Sequence, residues 1–148
     1  MRSTQNLFAG ACCALSVLAV THIGRGNELY VKPGAAPGGN GTSIDDPLPT
    51  IQAAIDAFEG TRGFVFLHPG VYREDVDIAK AAFWFRPVER TGGVVIEGSF
   101  TIRHPGVVIR GLDFRSEGNA IVLTEGAGRC QVLQCRILAV GPEKAGIE

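Results

Sequence analysis

The sequence predicts an all-β fold, a parallel solenoid of short strands entered through one short α-helix, on three observations. Beyond position 60, apolar segments return about every ten residues with glycine or proline between them, the mark of a repeat architecture. Two of these segments superimpose: laid 23 positions apart, Ile109 falls on Val132, Leu112 on Cys135 and Phe114 on Ile137. Composition agrees, with 20 glycines, many β-branched residues and one stretch of helical period outside the N-terminus. Each coil of a parallel β-helix needs two or three short strands stacked on their counterparts a turn later, and the spacing predicts roughly four coils.

At 148 residues the chain is one domain, large enough for a core, and a net charge of −1 gives no basic footprint for nucleic acid. No stretch is a convincing membrane span. Arg2 precedes an uncharged apolar run, Leu7 to Val20, and Val17-Leu18-Ala19 offers small residues around a cut site. Residues 1–19 therefore read as a secretory signal peptide, with a tail or short anchor as the alternative, and the protein as secreted or periplasmic. Cys12 and Cys13 lie in that run, leaving Cys130 and Cys135 in the mature chain. In one extended strand these two would stand roughly 16 Å apart, beyond disulfide reach, and they read as buried thiols.

Residues 20–28 read as a linker, Leu29–Val31 as a brief strand and Lys32–Pro47 as a loop crowded with glycine and proline. Asn40-Gly41-Thr42 is formally a glycosylation acceptor. Asp45 and Asp46 are either calcium ligands or solvated loop acids, and no calcium-loop spacing surrounds them. A helix is predicted from Thr50 to Glu59, because Ile51, Ala54, Ile55 and Phe58 share one face while Gln52, Asp56 and Glu59 face water. Thr50 supplies an N-cap oxygen, and Gly60 stands where a left-handed C-terminal residue is wanted. This helix is expected to act as a lid. A strand Gly63–Leu67, a Pro69-Gly70 turn and a second strand Val71–Ile78 follow.

Two further registers are predicted, one through Ile96, Ile121 and Ile147, spaced by 25 and 26, and a weaker one through Phe66, Phe85 and Ile109. In the 23-residue register Asp113 falls on Arg136, an outward pair of opposite charge. The chain stops at Ile147-Glu148 with no capping element, so a partner or missing C-terminal coils are expected to cover an open end.

Gly41-Thr42-Ser43, Pro47, the run Thr50-Ile51-Gln52-Ala53-Ala54-Ile55-Asp56-Ala57 and then Pro69-Gly70-Val71-Tyr72-Arg73-Glu74 resemble the N-terminal entry of secreted right-handed parallel β-helix proteins, the pectate-lyase-like superfamily. The likeness covers about Tyr30 to Leu138. It implies a right-handed solenoid with an N-terminal capping helix, residues 29–148 forming its N-terminal coils. It also implies a carbohydrate-active protein, of polysaccharide lyase or pectinase type, that acts on or binds an acidic polysaccharide. The catalytic groups of such an enzyme are expected beyond residue 148. Calcium is implied only under the lyase reading, and no other cofactor is indicated. The aspartate pair and glutamine of pectinesterases find no match. A non-catalytic surface module or an inactive truncated product are the alternatives.

The outward polar residues Glu97, Arg103, Arg110, Asp113 and Arg115 are candidates for a shallow sugar-binding strip, since guanidinium groups hold carboxylates by two-point contacts. The competing reading is a solvated outer face. Under the lyase reading Arg110 is the candidate proton-abstracting group. Alternation puts either Trp84 or both Phe83 and Phe85 outside, so Trp84 is a candidate stacking platform beside Tyr72. His68 and His104 precede prolines and lack a partner at metal-ligand spacing.

Overall fold

A computed structural model of the chain describes residues 27–90 and 92–139. Strand β1 (Glu28–Val31) and helix α1 (Ile51–Ala57) open it, and each full turn then gives one strand to each of three parallel sheets. The first turn is β2 (Arg62–Leu67), β3 (Gly70–Tyr72) and β4 (Val76–Ile78), and the second is β5 (Ala82–Pro87), β6 (Val94–Glu97) and β7 (Phe100–Ile102). The third is β8 (Val108–Arg110), β9 (Asp113–Ser116) and β10 (Ile121–Leu123), after which β11 (Gln131–Leu133) and β12 (Arg136–Ala139) begin another. Sheet A runs β1-β2-β5-β8-β11, sheet B β3-β6-β9-β12 and sheet C β4-β7-β10. The predicted solenoid is present, with about three turns in place of four. The assigned signal peptide and Ile147 lie outside the described residues.

Alternation sorts each strand. Leu29, Val65, Phe85, Ile109 and Val132 stack as one inward ladder in sheet A, and Tyr72, Ile96, Phe114 and Ile137 as another in sheet B. In sheet C the inward ladders are Val76–Phe100–Ile121 and Ile78–Ile102–Leu123. Aromatic rings bridge the interior from Phe58 through Phe83, Phe85 and Phe100 to Phe114, at centroid distances of 5.1 to 5.9 Å. All but Phe58 of these rings are at most 1% exposed, so the core is closed by edge-on and tilted ring packing that no single turn could supply. On the last described strands the inward Leu123, Val132 and Ile137 are exposed.

Helix α1 begins as expected: the Thr50 hydroxyl accepts from the Ala53 N–H at 3.1 Å. A second cap comes from outside the helix, where Glu74 accepts from the Ile51 and Gln52 N–H groups at 2.8 and 3.1 Å. Ile51, Ala54 and Ile55 are buried in the common core. The polar face is used as well. Gln52 Oε1 accepts from the Asp77 N–H of β4, and Lys80 donates to the Asp56 carbonyl, so the helix is tied to the flank of sheet C.

Four expectations are corrected. The helix ends at Ala57, and Phe58 is extended (φ −76°, ψ 130°). Gly60 is not a left-handed cap; a Cβ there would meet the Phe58 ring at 2.5 Å, so glycine is required for close approach. The strand expected over Val71–Ile78 is two strands, broken where Glu74 turns toward the helix. The registers through Ile96–Ile121 and Phe66–Phe85 fail because coil lengths differ: Val95 pairs with Asp113, 18 positions on, whereas Gly70 pairs with Val94, 24 on. Ile96 therefore pairs with Phe114, Ile121 with Phe100, and Val65 rather than Phe66 with Phe85. The 23-residue register holds, including Asp113 opposite Arg136.

Candidate functional site

The three outer faces differ in chemistry. On sheet B, Arg73 donates to Glu97 at 2.8 Å, and Arg136 lies 3.9 Å from Asp113. On sheet C, Arg103 follows β7 and is held by Asp77 at 3.0 Å, one turn earlier. Each of these arginines is exposed and matched by a carboxylate on a neighbouring strand, which explains it as a modest tie between turns.

Sheet A is built otherwise. Its outward positions include the ladders Glu28–Phe64–Trp84–Val108–Gln131 and Tyr30–Phe66–Arg86, and continuing the β5–β8 register by one residue sets Arg86 opposite Arg110, whose partner on β11 is Leu133. The Tyr30 and Phe66 rings stack at 5.1 Å and 16°, and the Arg86 guanidinium lies 4.5 Å over Phe66. Phe64 meets Trp84 edge-on at 5.5 Å, and Trp84 is 44% exposed, with Phe83 and Phe85 inside as alternation requires. Arg110 donates its Nε to Gln134 Oε1 at 2.9 Å. None of the ion pairs among the described residues involves Arg86 or Arg110. By that register two cations stand at opposed positions of adjacent strands, one against an aromatic ring and one against an amide, and neither is in an ion pair among the described residues.

Both open into a groove of about 900 Å³ at the corner between sheets A and B, which Arg90, Arg136, Glu89 and Asp113 also line. Gln134 forms part of its floor in the left-handed region (φ 53°), at the position that Gly111 (φ 70°) holds one turn earlier. That conformation suits glycine and costs a side-chain-bearing residue about 1 kcal/mol.

The predicted site residues are therefore divided. Arg110 and Trp84 share the outer face of sheet A, whereas Arg103 belongs to sheet C, so Arg103 and Arg110 do not make one strip. Glu97 and Arg115 line a smaller hollow of about 360 Å³ on sheet B with Ser116 and Glu117. Tyr72 is not a surface platform: it is 2% exposed, and its hydroxyl lies 2.9 Å from both the Val31 and His68 carbonyls. Burial, reinforced by the nearby Glu74 charge, pushes its phenol well above the ordinary range. Arg86 was missed by sequence reasoning.

The remaining candidates have local roles. Asp46 accepts from the Asn40 N–H through its carboxylate and from the Gly41 N–H through its carbonyl, which pins the loop. His104 Nδ1 lies 2.8 Å from the Pro105 carbonyl, and His68 Nε2 is buried without a hydrogen-bond partner. Cys130 and Cys135 flank β11 at its two ends, unpaired and half-buried rather than buried. Among the described residues no three His, Cys, Asp or Glu side chains are grouped to hold a metal ion, and no helix is long and apolar enough to cross a membrane. No protein-family model, curated protein or solved structure matches this chain.

Proposed function

We propose that this β-solenoid binds an acidic polysaccharide outside the cell, through the outer face of sheet A and its adjoining groove. The observation that carries the reading is Arg86 and Arg110, neither in an ion pair among the described residues, beside exposed Trp84. Like charges set directly opposite across two strands are unfavourable, and a ligand carboxylate offsets that cost while meeting the planar donors of both guanidinium groups. An exposed aromatic ring alongside accommodates the apolar face of a sugar.

Electrophoresis through gels containing polygalacturonate, alginate or chondroitin sulfate tests the reading. Retardation by at least one polymer is expected, with affinity falling about tenfold in the Arg86→Gln/Arg110→Gln double variant. Free migration through all three would sink it. Whether the bound polymer is also cleaved separates a lyase from a non-catalytic surface module: an ultraviolet-absorbing unsaturated product marks the first, and binding without turnover the second.

A further inference from the structure

We infer that the outer face of sheet A reads a two-ring unit, an acidic sugar clamped between Arg86 and Arg110 and its neighbour in the polymer stacked on Trp84, with Gln134 as the positioning residue for the clamp. The inference rests on the proposed binding of an acidic polysaccharide and specifies what part of it is recognised.

Three observations carry it. Trp84 and Arg86 are alternate residues of β5 and point the same way, about 7 Å apart along the strand, a separation on the scale of one sugar ring. The two guanidinium groups have their orientations fixed without losing charge. The Arg86 Cζ lies 4.5 Å over the Phe66 ring, a contact with a ring face that consumes no acceptor oxygen, and Arg110 donates its Nε to Gln134, which leaves its terminal nitrogens for a ligand. Thirdly, Gln134 occupies a left-handed position where the preceding turn uses Gly111, and its side chain is what directs Arg110. A backbone cost accepted at a groove-lining residue, and accounted for by its hold on one arginine, marks that arginine as needing a fixed direction.

An isolated uronate would meet the clamp alone, whereas a diuronide would engage the clamp and Trp84 together. Trp84 is the only tryptophan of the chain, so its fluorescence reports on the second ring without labelling. The test is a titration of the full chain with mono-, di- and trimers of galacturonate and of mannuronate, followed by Trp84 emission and by calorimetry. The expected result is a rise in affinity of about tenfold from monomer to dimer in one series, a small further rise to trimer, and a shift in emission from the dimer onward. In Trp84→Ala, followed by calorimetry alone, the dimer should bind no more tightly than the monomer. Gln134→Gly should weaken the dimer about fivefold while thermal stability stays level or rises, a combination that a merely structural glutamine would not give.

Equal affinity for monomer and dimer, or polymer binding that leaves Trp84 emission unmoved, would overturn the two-ring inference while leaving the broader reading intact. Absence of binding by both oligomer series and by the polymers would overturn both.

Discussion

The outer faces of sheets A and C use the same residue type to opposite ends. Arg103 on sheet C meets Asp77 at 3.0 Å, both side chains about half exposed, and the pair cancels its charge across two turns. Arg110 on sheet A meets the neutral amide of Gln134 at nearly the same distance, and Arg86 lies on a phenyl ring. The geometry of restraint is similar; the charge left over is not. An arginine held by a carboxylate has its binding capacity spent inside the protein, whereas one held by an amide or an aromatic ring is oriented and still fully cationic. Sequence position cannot tell these cases apart, because the partner sits a full turn away.

The comparison is most directly broken by giving Arg110 the kind of partner that Arg103 has. Gln134→Glu places a carboxylate at its Nε, and polymer affinity should fall about tenfold, some 1.4 kcal/mol, while stability changes by less than about 1 kcal/mol. Parallel binding and thermal-denaturation measurements check both halves. Retained affinity in this variant would mean that the neutrality of the partner is irrelevant and that sheet A is not distinguished from sheet C by charge.

A smaller effect tests whether the two faces share one rigid frame. The Tyr72 hydroxyl, on the interior side of sheet B, reaches the Val31 carbonyl at the end of β1 and the His68 carbonyl just after β2. Since the Val31 carbonyl also accepts from the His68 N–H, Tyr72→Phe should cost only about 1 kcal/mol. The pH dependence has a definite sign. Because the folded phenol titrates above its unfolded value of 10.0, the unfolded chain releases its proton first, and stability is lost as pH rises beyond that value. Denaturant melts on the alkaline side should show this decline in the parent protein and a shallower one in Tyr72→Phe. An identical slope in both would show that the hydroxyl is not what couples β1 to the first turn.

Much of the scaffold was legible because the solenoid repeats its own pattern. The 23-residue register of Ile109–Phe114 on Val132–Ile137 carried strand pairing, inward ladders and the Asp113–Arg136 opposition at once. The helix was legible through its 3.6-residue stripe and Thr50, though Glu74, 23 positions away, was invisible as its second cap. The site was half legible. Alternation flagged Trp84, and charge flagged Arg110, but a one-residue slip set Phe66 beneath Phe85 and so turned Phe66 inward. With Val65 in that place, Phe66, Arg86 and Arg110 fall on one outward ladder, and the clamp would have been visible. Coil lengths varying between 18 and 24 residues defeat a fixed-period search, and one residue of error exchanges the faces.

The smallest expected effect bears on the other side of the comparison. Asp77→Asn releases Arg103 from its carboxylate and gives sheet C an exposed, unneutralised guanidinium of its own. Stability should fall by a few tenths of a kcal/mol, as for other exposed pairs, since both side chains are already largely hydrated. Polymer affinity should stay within about twofold of the parent, because a single diffuse charge among solvated neighbours adds little. The outward ladder through Asp77 continues with Thr101 and Val122, which are neither cationic nor aromatic. A severalfold gain in affinity would show instead that freeing any arginine suffices, and the distinctive role of sheet A would reduce to its net charge. An unchanged affinity, set beside the loss in Gln134→Glu, would place recognition in the pairing of two oriented cations with Trp84.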